Sequence, residues 1–205
     1  MRTLTNYLPL YGKWTREQEN IVFTGVDSDP NHGLALFGYD LEDGEIEAEI
    51  KLSGSIGYCG AMIVFRANGQ ERYYAAGIGG SDNAYSLIQG SQLRSTKLIG
   101  VGSSDNIEAD RTYKLKIVLE GQKVDLFVDS IKVISFANLP RQTGSSVGLF
   151  CFKPTARAIF GNYRVNSSRP KAFVAMQFSE PYNEVYRDAV EPLVKEIGFE
   201  PLRVD

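Results

Sequence analysis

The chain is predicted to fold as an all-β sandwich of two antiparallel sheets, and three observations support this fold class. About a dozen short apolar segments recur at intervals of roughly 8–12 residues, which is the spacing typical of sandwiches and barrels. No helical period is present before residue 179. Eleven Tyr, eleven Phe and twenty Gly in 205 residues fit an aromatic-rich β fold with many turns.

Two strands and the turn between them organise the prediction. Residues 45–52, E-I-E-A-E-I-K-L, alternate apolar with charged side chains, as in a strand with one face in a core and one in water. Residues 60–67, G-A-M-I-V-F-R-A, are apolar on both faces until Arg66, which predicts a strand near the middle of a sheet. Glycines surround the connection and favour a hairpin loop.

The other strands are predicted from the same two patterns. In the N-terminal region, Y-G-K-W and I-V-F-T-G are predicted to form a strand and its return. In residues 112–119, Lys114 and Lys116 are predicted to face outward. The remaining strands are predicted at residues 34–39, 72–78, 84–89, 97–101, 123–128, 133–136, 146–152 and 156–165.

The pattern changes near the C-terminus. Residues 172–178, A-F-V-A-M-Q-F, are apolar without alternation, which predicts a strand buried on both faces. A helix is predicted to follow, with Ser179 as its cap, Pro181 in its first turn and a kink at Pro192. Gly198 is predicted to end the helix before a second strand. The segment is therefore predicted to be one βαβ unit.

The predicted domain boundaries follow from these changes in pattern. Residues 1–166 form the predicted sandwich, 167–170 form a linker, and 171–205 form the fragment of an α/β domain. We expect the sandwich to bury its own core, whereas about 35 residues are too few to do so alone.

Charge and hydropathy exclude several function classes. The net charge is −3 and no block of Lys or Arg is present, so we expect no nucleic-acid partner. No apolar run reaches the roughly 18 residues that cross a bilayer, and the N-terminus lacks the apolar core of a signal peptide. We therefore expect no membrane partner and a cytoplasmic location.

Few side chains suit metal or redox chemistry. Cys59 and Cys151 match no metal-binding spacing and are predicted to be buried free thiols. His32 is the only histidine and lies in D-S-D-P-N-H-G, so it is predicted to be a loop residue. One histidine is too few for a multi-histidine zinc site. We expect no metal site and no cofactor.

Five runs carry a resemblance for the sandwich: E-I-E-A-E-I-K-L, G-A-M-I-V-F-R-A-N, R-Y-Y-A-A-G-I, Y-K-L-K-I-V-L-E-G-Q-K-V-D-L-F-V-D and G-S-S-V-G-L-F-C-F-K-P-T-A-R-A-I-F-G-N-Y-R-V. With them, residues 7–165 resemble the concanavalin A-like, laminin-G-like jelly-roll domains. The resemblance implies a jelly-roll β-sandwich that binds carbohydrate or another small ligand on a concave sheet or its rim.

A second resemblance concerns the C-terminal segment, through K-A-F-V-A-M-Q-F-S-E-P-Y-N-E-V-Y and V-E-P-L-V-K-E-I-G-F-E-P-L-R-V-D. Residues 171–205 resemble the start of a TIR-like, nucleoside 2-deoxyribosyltransferase-like domain. Such domains carry a catalytic Glu in a later segment that this chain does not contain. The resemblance implies a parent protein that cleaves or senses a nucleotide, in an arrangement seen in bacterial defence systems.

Glu45, Glu47 and Glu49 are the candidate catalytic residues. Alternate strand positions share a face and lie about 6.6–6.8 Å apart, whereas retaining glycosidases place their carboxyls about 5–5.5 Å apart. E-I-E-A-E resembles the acidic strand of laminarinase-like hydrolases, but that pattern has a central Asp and a flanking Trp, which are absent here. Lys51 continues the stripe, as on an ordinary solvated face.

Five residues are predicted to bind the ligand: Arg66, Tyr74, Asn83, Tyr85 and Phe152. Arginine can hold a hydroxyl pair or a carboxylate with its planar fork, and tyrosines offer flat faces together with a hydroxyl. Arg66 is predicted to lie on the side of its strand opposite Phe65, away from the core. For each aromatic residue, the alternative is that it covers the sheet or fills the core. Ser81, Asp82 and Asn83 also carry oxygen atoms suited to a cation, although a turn is the simpler interpretation.

The sequence leaves three hypotheses. The leading one is a non-catalytic module that binds a carbohydrate or another small ligand and regulates a nucleotide-acting effector. The second is a glycoside hydrolase that uses the glutamate trio. The third is a scaffold in which the sandwich forms a homo-oligomer.

Overall fold

The structure, a computed structural model, describes most of the chain and divides into two compact units, Met1–Ser167 and Ser168–Asp205. The described residues are 1–25, 32–54, 59–80, 83–91, 95–103, 106–140, 144–152, 156–168, 171–197 and 199–204. Among these residues no helix has the length and hydropathy required to cross a membrane.

The first unit contains two antiparallel sheets. The eight-stranded sheet contains β1 (Arg2–Thr3), β3 (Trp14–Glu17), β4 (Asn20–Phe23), β6 (Gly44–Gly54), β11 (Thr112–Glu120), β12 (Lys123–Val128), β13 (Ile131–Phe136) and β15 (Ala156–Ser167). The seven-stranded sheet contains β2 (Tyr7–Tyr11), β5 (His32–Asp40), β7 (Gly60–Asn68), β8 (Arg72–Gly79), β9 (Tyr85–Ser91), β10 (Ser95–Val101) and β14 (Ser146–Phe152).

The strand order of each sheet brings distant parts of the chain together. The eight-stranded sheet has the order β13-β12-β11-β6-β15-β4-β3, with β1 paired to β15, and the seven-stranded sheet has the order β10-β9-β8-β7-β14-β5-β2. Strand β6 therefore lies between β11 and β15, which are far from it in sequence. The inner faces of both sheets form one core, in which Ile50, Ile117, Ile63 and Leu149 are each fully buried.

The two organising strands are confirmed, but the predicted hairpin between them is wrong, because β6 and β7 belong to different sheets and pair with other strands. In β6 the burial alternates along the strand, with Ile46 and Ile50 fully buried and the glutamates between them half-buried. Strand β7 is buried at every position except its last, because it lies between β8 and β14 and its second face is also covered by apolar side chains. The all-β sandwich predicted from the sequence is therefore the observed fold.

In the first unit two expectations are corrected or refined, and a third is confirmed. His32 is not a loop residue: it is the first residue of β5, is buried and stacks on Phe152 at 4.8 Å between ring centroids. The strand predicted to end at Val165 continues to Ser167, because Asn166 and Ser167 still pair with the start of β6. Cys59 and Cys151 are buried free thiols, as expected.

The second unit is a strand, a helical segment and a parallel strand. Strand β16 (Lys171–Ala175) pairs in parallel with β17 (Glu200–Val204). Between them lie α1 (Tyr182–Val185), a π-helical turn (Tyr186–Val190) and α2 (Glu191–Glu196). The predicted βαβ order is therefore present.

Details of this unit differ from the prediction. The apolar strand is not buried on both faces, since Phe173 is 69% exposed and only one partner strand pairs with it among the described residues. Ser179 does not cap the helix: Pro181 occupies the N-cap without a side-chain bond, and the Ser179 carbonyl accepts the N–H of Asn183. Pro192 is the second residue of α2 and directly follows the π-helical turn, so it lies inside the continuous helical segment, as predicted. Gly198 lies outside the described residues.

Candidate functional site

Acidic and basic side chains face each other across the solvent-facing side of the eight-stranded sheet. Strand β6 directs its glutamates outward because its isoleucines point into the core. In the antiparallel register, Lys114 lies opposite Glu49 and Lys116 lies opposite Glu47. On the other side of β6, Arg164 of β15 also lies opposite Glu47. The register therefore places Glu47 between two cations.

A bulge in β15 adds an amide to this surface. The register of β15 against β6 shifts between Gly161 and Arg164, and Asn162 adopts a left-handed backbone with φ of 50°. Asparagine tolerates this conformation better than most residues. The Asn162 side-chain amide donates a 2.9 Å hydrogen bond to a carboxylate oxygen of Glu49.

These side chains line an open groove of about 360 Å³. We define the polar groove by six residues: Glu47, Glu49, Lys114, Lys116, Asn162 and Arg164. Three strands, β6, β11 and β15, supply them. The three strands are paired side by side, with an unbroken register between β6 and β11 and one bulge between β6 and β15, so the backbone beneath the groove is hydrogen-bonded sheet.

Part of the polar groove is already paired within the protein. Lys116 forms an ion pair with Glu45 at 3.5 Å, and Asn162 binds Glu49. In the part of the chain that the structure describes, the side chains of Glu47, Lys114 and Arg164 take part in no ion pair or side-chain hydrogen bond. The ammonium group of Lys114, the guanidinium group of Arg164 and the carboxylate of Glu47 are therefore available to bind a ligand in the groove.

The glutamate trio lies where the sequence predicted, on one outward face of β6. Glu47 and Glu49 line the polar groove, while Glu45 lies at its side in the ion pair with Lys116. Their shared face is confirmed by the alternating burial of the strand. A catalytic role for them stays a prediction.

The five predicted ligand-binding residues do not come together. Tyr74 is 1% exposed and belongs to the core, where it stacks on Phe65 and donates a hydrogen bond to the Pro140 carbonyl. Tyr85 also packs against this core from its edge. Tyr74 and Tyr85 therefore pack in or against the core, which is the alternative that the sequence left open for them.

Arg66 does not lie on the outer face of its sheet, contrary to the prediction. Its backbone is left-handed, with φ of 51°, at a bulge where the register of β7 shifts. The extra residue turns Arg66 toward the other sheet, where its guanidinium binds the Gly121 carbonyl and lies 3.6 Å from Asp43. Arg66 is therefore a buried link between the two sheets.

The remaining two predicted residues lie apart from the others. Asn83 follows the turn after β8, and its backbone N–H binds the Gly80 carbonyl, as expected for a turn. Phe152 stacks on His32 at the end of β14. Ser81 and Asp82 lie outside the described residues. No group of three or more metal-ligating side chains is present among the residues described.

An apolar cluster on the second face of the seven-stranded sheet was not predicted. It contains Met62, Tyr73 and Phe150, each almost fully buried. The Tyr73 hydroxyl lies 3.2 Å from that of Tyr11, and burial together with this neighbour raises the pKa of Tyr73. The sequence contains Tyr73 and Tyr74 side by side, and only the register of β8 decides which one faces the core.

Asp125 is a buried carboxylate that sequence reasoning also missed. It accepts hydrogen bonds from Ser135 at 2.6 Å and Lys132 at 2.9 Å, and Lys123 lies at 3.0 Å. Burial by itself raises the pKa of Asp125, but these three partners outweigh it and lower the pKa from 3.8 to about 2. The alternation in K-V-D-L-F-V was the available signal, because it places Asp125 on the outer face.

Replacing Asp125 by Asn should destabilise the protein by about 1–2 kcal/mol at neutral pH, allowing for screening by solvent around the lysines. Because the folded-state pKa is depressed, this stability is present above the ordinary pKa and is lost as the pH falls from about 4 toward about 2. Urea unfolding of both proteins across this range should show the difference shrinking. A difference that stays constant down to the lowest pH would contradict the assignment.

Comparison with known proteins identifies the fold of the chain but no protein family. No protein-family model matches the chain, and no curated protein matches it. Solved structures do match it in three dimensions, over about four-fifths of its length.

Three of these structures illustrate the range. The carbohydrate binding module CBM66 from Bacillus subtilis has a TM-score of 0.69 at 19% identity, covering 80% of this chain and 97% of that one. A Bacillus subtilis protein of unknown function with a galectin-like fold has a TM-score of 0.61 at 12% identity, covering 80% and 90%. A Bacillus licheniformis β-glucanase has a TM-score of 0.54 at 9% identity, covering 80% and 92%.

Identities this low establish the architecture and nothing about the ligand. The comparisons confirm the expected jelly-roll β-sandwich and do not bear on the TIR-like resemblance of residues 171–205. The chain is thus a jelly-roll β-sandwich followed by a βαβ segment.

Proposed function

We propose that the sandwich is a non-catalytic carbohydrate-binding module and that the polar groove is its binding site. The observation that carries this proposal is the convergence of three strands on one open groove lined by carboxylate, amide, ammonium and guanidinium groups. Sugar hydroxyls both donate and accept hydrogen bonds, so a site needs acceptors and donors side by side. Glu47 supplies acceptors, while Lys114 and Arg164 supply charged donors.

The geometry suits recognition of a flexible, polar ligand. Hydrogen bonds to charged groups are stronger than those between neutral groups. Because these groups lie on a hydrogen-bonded sheet, ligand binding does not have to order the backbone beneath them. Two of the structurally similar proteins, a carbohydrate binding module and a β-glucanase, make carbohydrate the first ligand class to test.

Carbohydrate binding can be tested by screening a glycan array and then titrating the best ligand calorimetrically. Arg164→Ala and Lys114→Ala should each weaken binding by roughly tenfold to a hundredfold, because each removes a charge-assisted hydrogen bond. Lys51→Ala is the matched control, since Lys51 lies on the same face of β6 outside the groove. Failure to bind any glycan, or equal binding by the groove variants and the control, would exclude the proposal.

Glycoside hydrolysis is the second candidate, because Glu47 and Glu49 both line the groove. Their spacing along a strand, about 6.6–6.8 Å, is wider than the carboxyl spacing of about 5–5.5 Å in retaining enzymes. If the parent protein releases its ligand unhydrolysed, and the triple variant Glu45→Gln, Glu47→Gln, Glu49→Gln does the same, the binding module is favoured over the hydrolase.

For residues 171–205 we propose the start of a TIR-like, nucleotide-acting domain that the sandwich regulates. The support is the resemblance of its sequence and the parallel pairing of β16 with β17 around a helical segment. In such open α/β folds, ligands bind near the carboxyl ends of the strands, so this segment would border a nucleotide pocket.

A further inference from the structure

One row of side chains crosses five strands on the outer face of the eight-stranded sheet. Lys132, Phe127, Lys116, Glu47 and Arg164 lie opposite one another in successive pairings of β13, β12, β11, β6 and β15. We call these five residues the cross-strand row. With strands about 4.8 Å apart, the row is roughly 19 Å long, which is enough for several sugar rings in a line.

Phe127 is the flat apolar element of the cross-strand row. Its neighbours Leu126 and Val128 point into the core, so Phe127 points toward solvent, where it is half-buried. The Lys116 and Lys132 ammonium groups lie 5.2 and 5.4 Å from its ring centre. An aromatic ring in this position contributes little to the core and offers a surface on which the apolar face of a sugar can stack.

The cross-strand row is also cationic, with three basic residues and one carboxylate. Lys116 is 37% exposed and pairs with the half-buried Glu45, and such solvent-accessible pairs are weak, so its ammonium group can exchange this partner for a ligand anion at small cost. Lys132 is 45% exposed and is bonded to the buried Asp125, so it keeps that bond and offers its remaining N–H groups to the ligand. Among the described residues, the Arg164 guanidinium has no ion-pair partner to give up.

We infer that the cross-strand row extends the polar groove into a site for an acidic oligosaccharide laid across the strands. One sugar ring stacks on Phe127, carboxylates of the ligand bind Lys116, Lys132 and Arg164, and Glu47 accepts hydrogen bonds from sugar hydroxyl groups. The inference rests on the proposed carbohydrate-binding function and specifies its ligand. A DNA strand fits less well, because it has no hydroxyl groups along the chain to donate to Glu47, and that carboxylate would lie against its phosphates instead.

The experiment is calorimetric titration of the full chain with galacturonic acid and its oligomers, beside neutral cello-oligosaccharides of equal length. Affinity for the acidic series should rise with length until the row is filled and should fall as salt is added. Phe127→Ala should weaken binding of the tetramer about fivefold to tenfold and leave that of the monomer unchanged. Phe127→Tyr keeps the flat ring and should bind like the parent, as should Lys51→Ala.

Each other outcome has a definite meaning. Equal affinity for acidic and neutral oligomers, or tetramer binding that Phe127→Ala does not change, overturns the inference and leaves the carbohydrate-binding proposal standing. Tighter binding of a single-stranded oligonucleotide than of any uronate also overturns it. Binding of no glycan at all removes both. Thermal unfolding of Phe127→Ala and Phe127→Tyr verifies that the two variants are equally folded.

Discussion

Gly77→Ala should destabilise the sandwich by roughly 3 kcal/mol or more, through a single methyl group. Gly77 lies in β8, directly opposite Met62 of β7. A Cβ atom at Gly77 would overlap the Ala61 carbonyl oxygen and lie 2.6 Å from the Met62 Cα atom. Both obstacles are backbone atoms, and β8 is held on its other side by β9, so neither strand can shift without breaking a ladder.

The matched control for this substitution is Gly38→Ala in the same sheet. Gly38 is exposed in β5, and a Cβ atom there would meet nothing within 4 Å. We expect a change of about 0.5 kcal/mol or less, since the added methyl mainly reduces the freedom of the unfolded chain. Urea unfolding followed by tryptophan fluorescence measures both variants. Equal stabilities for the two would show that β7 and β8 are not as close as described.

The strands themselves were predictable because their signal is local. The alternation in β6 is repeated in its burial, residue by residue, and the uniformly apolar β7 is covered on both faces. The order of apolar and polar residues within a strand is enough to predict which of its faces is apolar. The fold class followed from these segments and their spacing.

The candidate site was only partly predictable because it depends on register and strand order. Arg66 was assigned to the wrong side, since one extra residue in a bulge reverses the faces of a strand and the sequence around it shows no sign of the bulge. The glutamates of the groove were found, but Arg164 and Phe127 were not. They join Glu47 only through the order β12-β11-β6-β15, which no spacing along the chain reveals.

The C-terminal unit shows a different limit. The predicted helix is present, yet its apolar residues Leu193 and Ile197 are 59% and 62% exposed. An amphipathic pattern determines which side of a helix is apolar, whereas burial requires a partner surface. Two strands and a short helical segment supply too little partner surface to bury the apolar side of the helix.

Phe23→Ala should cost about 3–5 kcal/mol, the range for removing a large aromatic side chain from a core. Phe23 is fully buried at the end of β4, and its ring lies against Gly12 and Gly33, where a Cβ atom would overlap it. Glycines have no side chains that can move into the space left by the ring. The cavity should therefore persist, which places the cost at the upper part of the range.

Trp14, the only tryptophan of the chain, reports directly on this substitution. Its ring lies 4.8 Å from that of Phe23 and 5.9 Å from that of Phe160, and its indole N–H donates to the Tyr11 carbonyl. Loss of the Phe23 ring exposes one side of the Trp14 indole, so the tryptophan fluorescence of the folded Phe23→Ala variant should peak at a longer wavelength than that of the parent protein. Its melting temperature should fall by roughly 10 °C, given the size of the unit.

Phe173→Ala is the control for this second prediction, because it removes the same side chain from a position that is 69% exposed. It should leave both the emission and the unfolding of the sandwich unchanged. If Phe23→Ala behaved like this control, the aromatic group around Trp14 would not contribute to the core. A red-shifted, destabilised protein would instead show that the Phe23 ring covers the Trp14 indole and fills the space beside Gly12 and Gly33.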